Sequence, residues 1–145
     1  MREILRKVDA WLAEGKPVAV ATNVKRQGSS LRPLGAKMAM TPHQEIAGSV
    51  TGGCIEGVVF EEAQDVIQTG IPKLLHYGVV DSETPWEVGL SCGGTLDVFI
   101  ETMNSLAWQE VYPAVKNCLI ENRLTAITTI ISGPGTGKKL MLSSD

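Results

Sequence analysis

Apolar residues Ile4, Leu5, Val8, Trp11 and Leu12 recur at helical spacing, with Gly15 behind them as a stop, so the pattern predicts an amphipathic helix over 2–14. The Val- and Ala-rich stretch 17–25 predicts a strand. A polar run punctuated by Gly, Ser and Pro at 26–34 predicts a loop. Strands at 36–40 and 46–50, joined by a turn at 42–45, predict a hairpin. Ile55, Val58, Val59, Ala63, Val66 and Ile67 return to helical spacing ahead of Gly70, which predicts a helix over 53–69 with Cys54 in its first turn. A short strand at 73–77 precedes a long loop at 78–94, and a loop of about 16 residues in a compact domain is either functional or disordered. Leu96, Val98 and Ile100 alternate in a strand at 95–101. A helix over 109–121, with Pro113 near its start, leads to a strand at 124–131 and an extended piece at 138–142. The expected fold is α/β: a mixed sheet with packed helices and at least one antiparallel hairpin.

The two ends of the chain echo one another. Val8 matches Val115, Leu12 matches Leu119, Glu14 matches Glu121, Gly15 matches Asn122, Lys16 matches Arg123, Ala19 matches Ala126 and Thr22 matches Thr129, all at one offset. Gly and Asn are the residues that best accept the left-handed conformation behind a helix. After a shortened loop the echo continues, Gly35-Ala36-Lys37-Met38-Ala39-Met40 against Gly137-Lys138-Lys139-Leu140-Met141-Leu142. A duplicated helix-strand-hairpin unit is expected, its second copy truncated at Asp145.

A length of 145 residues suits one domain, which buries roughly two thirds of the surface of its unfolded chain. Hydrophobic residues at 43%, charged residues at 20% and a net charge of -3 lack the basic excess of a nucleic-acid binder. The charged amino terminus is not a signal peptide, and no stretch approaches a spanning helix, so a cytoplasmic protein without nucleic-acid or membrane partners is expected. Cys54, Cys92 and Cys118 are odd in number and far apart, which predicts reduced thiols.

Thr51-Gly52-Gly53-Cys54-Ile55-Glu56-Gly57 puts a glycine pair at the mouth of a predicted helix. Unpaired N–H groups and the helix dipole favour an anion there, glycine permits close approach, and a thiol at such a position has its thiolate favoured. The bland reading is a tight turn with Cys54 as a small apolar residue. Gly89-Leu90-Ser91-Cys92-Gly93-Gly94-Thr95 is nearly the mirror image of this element. The loop around Ser29, Ser30, Arg32 and Lys37 suits phosphate, or is solvated surface charge. Glu56, beside Cys54, and Asp97, just beyond the second glycine pair, read as acid/base groups, as hydrogen-bond acceptors for a heterocycle, or as ordinary surface carboxylates, and neither supports a catalytic role. Cys118, sharing a face with Val115 and Leu119, reads as core. The run Ser132 to Lys139 fails as a P-loop, because Ser132 replaces the first glycine and Lys139 the hydroxyl residue after the lysine. Zinc lacks close ligand pairs, and no Gly-x-Gly-x-x-Gly follows a strand.

Across Gly28-Ser29-Ser30-Leu31-Arg32-Pro33-Leu34-Gly35-Ala36-Lys37-Met38, Gly48-Ser49-Val50-Thr51-Gly52-Gly53-Cys54-Ile55-Glu56 and Gly89-Leu90-Ser91-Cys92-Gly93-Gly94-Thr95-Leu96-Asp97-Val98, the chain resembles the XdhC/CoxI family, from the first helix to the carboxyl end. The resemblance implies an amino-terminal XdhC/CoxI-like domain over 1–145, without the family's further Rossmann-type domain. It also implies a non-enzymatic accessory protein that binds the molybdenum cofactor (molybdopterin), protects it while a cysteine desulfurase installs its sulfido ligand, and delivers it to apo xanthine dehydrogenase or a related molybdenum hydroxylase. The implied cofactor-binding residues are Cys54, Cys92, Gly52, Gly53, Gly93, Gly94, Ser29, Arg32, Lys37 and Glu56. Cys54 and Cys92 would be metal ligands only through the cofactor's molybdenum. A separate Rossmann-type subunit or a homodimer is a further implied association. The rival readings are a sulfur-transfer protein working through Cys54 and a partner-docking module that holds no cofactor.

Overall fold

The computed structural model describes residues 1–28, 32–53, 55–78, 90 and 94–144. Helix α1 (Arg2–Ala13) leads into strand β1 (Ala19–Gln27), followed by β2 (Lys37–Met40), β3 (Ile46–Gly48) and helix α2 (Glu56–Thr69). Strands β4 (Lys73–Tyr77) and β5 (Thr95–Thr102), helix α3 (Leu106–Ile120), and strands β6 (Thr125–Thr129) and β7 (Lys139–Ser143) complete the order. Five strands form one sheet in the order β3-β2-β1-β5-β4, and β6 and β7 form a separate hairpin.

The helix-and-sheet class and the 36–40/46–50 hairpin agree with the sequence pattern. The sheet is antiparallel at every pairing, however, where a mixed one was expected. The reason is the crossover through α2. It carries the chain from β3 at one edge to β4 at the other, so the two strands it joins run the same way without becoming neighbours.

Alternation along β1 and β2 sorts side chains onto two faces. Ala19, Ala21, Met38 and Met40 face α2, whose Val59, Ala63 and Val66 lie on one stripe, and all seven are fully buried. Each large apolar side chain taken out of water contributes about 1.5–3 kcal/mol. Packing therefore holds α2, since its N-cap Ile55 offers no side-chain hydrogen bond. Val20 and Ala39 face the other way, toward Ile4, Val8 and Trp11 of α1 and Trp108 of α3.

Helix α3 starts earlier than its spacing predicts because the Ser105 hydroxyl accepts the Trp108 amide at 3.3 Å and caps the first turn. Pro113 consequently lies well inside the helix, on its exposed side. Cys118 is buried, as its pattern indicates.

The internal echo is reproduced in hydrogen-bond register. Ala19 pairs with Met40, Val20 with Ala39, Ala21 with Met38 and Thr22 with Lys37. At the equivalent places Ala126 pairs with Leu142, Ile127 with Met141, Thr128 with Leu140 and Thr129 with Lys139. Gly15 and Asn122 both take positive φ, 73° and 56°. The Lys37 ammonium donates to Thr22 Oγ1 at 2.7 Å, and that of Lys139 to Thr129 Oγ1 at 3.0 Å. The repeat is thus one of backbone geometry as well as residue type.

Between the inner face of the sheet and β6 lies a cavity of about 430 Å³, lined by Lys37, Phe99, Glu101, Trp108 and Ile127 among others. Lys139 enters this seam from β7. Its ammonium lies 2.7 Å from Glu101 Oε2 and 4.3 Å from the centre of the Trp108 ring, with only 1% of the side chain exposed.

Candidate functional site

The segment from Gly48 to Glu56 is fixed at both ends by apolar anchors. Val50 and Ile55 are buried, whereas Gly52 and Gly53 between them are exposed. Gly48, at φ 74°, turns the chain out of β3, and a Cβ there would fall 2.2 Å from the Lys37 carbonyl oxygen. Gly52 and Gly53 also take positive φ, 89° and 130°, a region that glycine enters without steric cost.

The amides at this helix mouth are already paired. Glu56 Oε1 accepts from the amides of Thr51 at 2.9 Å and Gly52 at 3.0 Å and from the Ser49 hydroxyl at 2.5 Å. Glu56 Oε2 accepts from the Gly53 amide at 2.9 Å and the Thr51 hydroxyl at 2.6 Å. Burial alone would raise the Glu56 pKa, but the Ser49 and Thr51 donors outweigh it and bring the carboxyl down to about 2. This corrects the expectation of an open anion cradle: the protein supplies its own anion. By gathering the amides of 51–53, that carboxylate also delays the helix, which begins at Glu56. Cys54, expected in the first turn, lies outside the described residues.

Sequence reasoning missed Asn23, Ser49 and Thr51 as members of this site. The β1–β5 register shifts between Asn23 and Lys25, leaving Val24 as the extra residue of a bulge. Asn23 is 1% exposed, and its Nδ2 donates to the Val50 carbonyl at 2.6 Å, tying the glycine loop to the sheet. Its Oδ1 has no hydrogen-bond partner among the described residues. The available signal was a buried-type position in an Ala/Val strand occupied by an amide side chain.

Of the other predicted residues, Arg32 joins the loop. Its Nε donates to the Ser49 carbonyl at 3.2 Å and its Nη2 to Glu3 on α1. Lys37 does not join it. Its neighbour Met38 faces α2, so alternation puts Lys37 on the opposite face of the sheet, bonded to Thr22, where burial lowers its pKa. Ser29, Cys92 and Gly93 lie outside the described residues.

Gly94 lies where three strands end. A Cβ on Gly28 would come within 3.1 Å of the Gly94 Cα, and one on Gly78 within 2.0 Å of the Gly94 oxygen, so three backbones touch there. The strands flanking the two glycine-cysteine elements, β3 and β5, are not neighbours, being separated by β2 and β1. Of the described residues, Val50 is tied to the middle of β1 by the Asn23 amide, and Gly94 lies beside Gly28 at the end of the same strand.

Residues 11–78 match the family model described as the XdhC and CoxI family. The molybdenum cofactor insertion chaperone PaoD of Escherichia coli is 32% identical over 105 residues, covering 72% of this chain and 32% of the relative. A Bacillus subtilis protein named as a probable xanthine dehydrogenase component is 27% identical over 125 residues, covering 86% of this chain and 37% of the relative. The chain thus spans about a third of the length of these relatives. The crystal structure of a xanthine dehydrogenase from Bacillus halodurans superposes with a TM-score of 0.71 at 23% identity, over 92% of this chain and 39% of the other, which establishes the shared fold.

Proposed function

Because residues 11–78 of this chain belong to the XdhC and CoxI family, we propose that it is an accessory protein that binds the molybdenum cofactor and hands it to a molybdenum hydroxylase such as xanthine dehydrogenase. The observation that carries this reading is the Gly52-Gly53 loop, held open by Glu56 within the matched segment. The similarity to PaoD, named as an insertion chaperone, supports the same class of role.

The residues suit the cofactor in kind. A pterin presents N–H donors, and the buried Asn23 Oδ1 is an acceptor without a partner among the described residues. A Cβ on Gly53 meets nothing within 4 Å among the described residues, which leaves a flat ligand room to approach the loop there. Arg32 would hold the terminal phosphate through its forked guanidinium, exchanging its contact with Glu3. Glu56, ionised at every physiological pH, keeps the loop in shape and repels a phosphate from the helix mouth. That moves the anionic end of the ligand toward Arg32. Cys54 and Cys92 are the soft ligands proposed for the molybdenum, whose centre supplies the oxygen-transfer chemistry once it is in the client enzyme. A cysteine desulfurase is the proposed sulfur donor, and the apo-hydroxylase the proposed recipient.

The test is anaerobic purification of the chain, with its Cys54→Ser, Cys92→Ser and Asn23→Ala forms, from cells that make molybdopterin, followed by joint quantification of molybdenum and pterin. Near-stoichiometric cofactor in the wild type and a loss of tenfold or more in a cysteine variant is the expected result. Absence of both metal and pterin from the wild type overturns the assignment for this chain.

A further inference from the structure

The cavity between the sheet and β6 takes its walls from both repeats, with β1, β2 and β5 on one side and α3 and β6 on the other. Its volume of about 430 Å³ is in the range of small-molecule sites, about 300–1,000 Å³. Phe99, Leu119, Ile127 and Ile131 make much of the lining apolar, and the charged side chains that line it are Lys37 and Glu101. Glu101 is already engaged, since the Lys139 ammonium lies 2.9 Å from its Oε1 and 2.7 Å from its Oε2.

Lys37 is not matched in this way. Among the described residues its half-buried ammonium makes one hydrogen bond, to Thr22 Oγ1 at 2.7 Å, and no ion pair. Glu3, the other carboxylate whose charge acts on it, is held by Arg32. Burial consequently lowers the Lys37 pKa, the mark of a cation that has lost water without gaining a counter-ion. Trp108 supplies a second orphan in the same cavity. It is 2% exposed, and its Nε1–H has no acceptor among the described residues. The two donors share one neighbourhood, because Lys139 lies over the Trp108 ring and its charge also acts on Lys37. Unpaired buried donors cost free energy that an acceptor would return.

We propose that this cavity binds a small organic acid, an apolar body bearing one carboxylate, with Lys37 Nζ and Trp108 Nε1 as the donors to the carboxylate. A neutral apolar molecule would leave the ammonium and the indole N–H unpaired. A cation would meet the ammoniums of Lys37 and Lys139. An inorganic phosphate would set polar oxygens against Phe99, Leu119 and Ile127 and bring further negative charge beside Glu101. The site lies on the face of the sheet away from α2 and the glycine loop, so it is separate from the proposed cofactor site.

The test is NMR of the tryptophan indole N–H signals of the intact protein, titrated with hexanoate, with hexanol and inorganic phosphate as controls. The Trp108 signal, assigned by its loss in Trp108→Phe, should move downfield saturably with hexanoate as it gains a charged acceptor. Hexanol and phosphate should each bind at least tenfold more weakly. Lys37→Met, which keeps an unbranched side chain of similar length, should weaken hexanoate at least tenfold, and an unchanged spectrum elsewhere would verify that it is folded. Should that variant fail to fold, the comparison of hexanoate with hexanol in the wild type decides. Absence of a saturable shift up to tens of millimolar hexanoate, equal binding of hexanol or phosphate, or affinity that survives Lys37→Met overturns the proposal.

Discussion

The side chains of Asp9 and Lys116 meet at 2.7 Å although 107 residues separate them, and 107 is the offset that relates α1 and β1 to α3 and β6. A contact between equivalent positions is what a two-fold axis produces, since only residues near the axis meet their own counterparts. Lys37 and Lys139 form a second equivalent pair, both in the field of Glu101. The repeats are therefore packed like the halves of a two-fold dimer, with Glu101 of β5 set between the lysines. A half-buried surface pair such as Asp9–Lys116 is worth only about 0–1 kcal/mol, so its significance is geometric.

The seam between the repeats depends on Glu101. Glu101→Ala leaves the Lys139 ammonium, 1% exposed, without its carboxylate. Stripping one partner from a buried pair costs about 3–5 kcal/mol. Urea denaturation should show a loss of that size, and the Glu101→Leu/Lys139→Met double variant should recover most of it. A double variant no more stable than Glu101→Ala would contradict this account.

Glu56 makes the glycine loop sensitive to acid. Its folded-state pKa, about 2, lies below the usual carboxylate range. The stability it contributes is therefore complete above about pH 5 and is lost as pH falls toward 2. Glu56→Gln should lower stability at pH 7 by about 2 kcal/mol, the scale of hydrogen bonds to a charged group. The gap from wild type should narrow between pH 5 and pH 2, as read from urea midpoints.

Two glycines should respond in opposite directions to the same change. Gly78→Ala drives a Cβ to within 2.0 Å of the Gly94 oxygen at φ 87° and should cost about 2–4 kcal/mol. Gly57→Ala, exposed in α2 with nothing among the described residues within 4 Å of the new methyl, should gain about 0.5–1 kcal/mol from helix propensity. Thermal melts of the two variants compared with wild type test both signs.

Pro113 interrupts α3 on its exposed face and removes the amide that would reach the Gln109 carbonyl. Pro113→Ala should stabilise the chain by about 1–3 kcal/mol. A neutral or destabilising result would mean that the packing of Trp108 and Val115 relies on the backbone geometry that proline fixes.

The architecture was readable wherever it rests on periodic patterns. Ile4, Val8 and Trp11 marked a helix face, and Gly15 matched with Asn122 marked two left-handed caps. The echo between Met38-Ala39-Met40 and Leu140-Met141-Leu142 proved to be an identity of strand register. Lys37 was misplaced with Arg32, although alternation from Met38 puts it on the face away from α2. What left no periodic trace was the inward turn of Glu56, which depends on Ser49 and Thr51 folding back to meet it. The role of Asn23 was equally hidden, since a single bulge decides where its amide points.

The contact of Gly78 with Gly94 turns the chain between them into an excursion that returns to its starting point. The β4–β5 ladder already bears the cost of bringing those ends together. Doubling the length of such an excursion adds only about 0.6 kcal/mol of closure entropy. Chain length between residues 78 and 94 is therefore nearly free to vary as far as the sheet is concerned: the scaffold fixes the two ends of that segment and leaves its length to other demands.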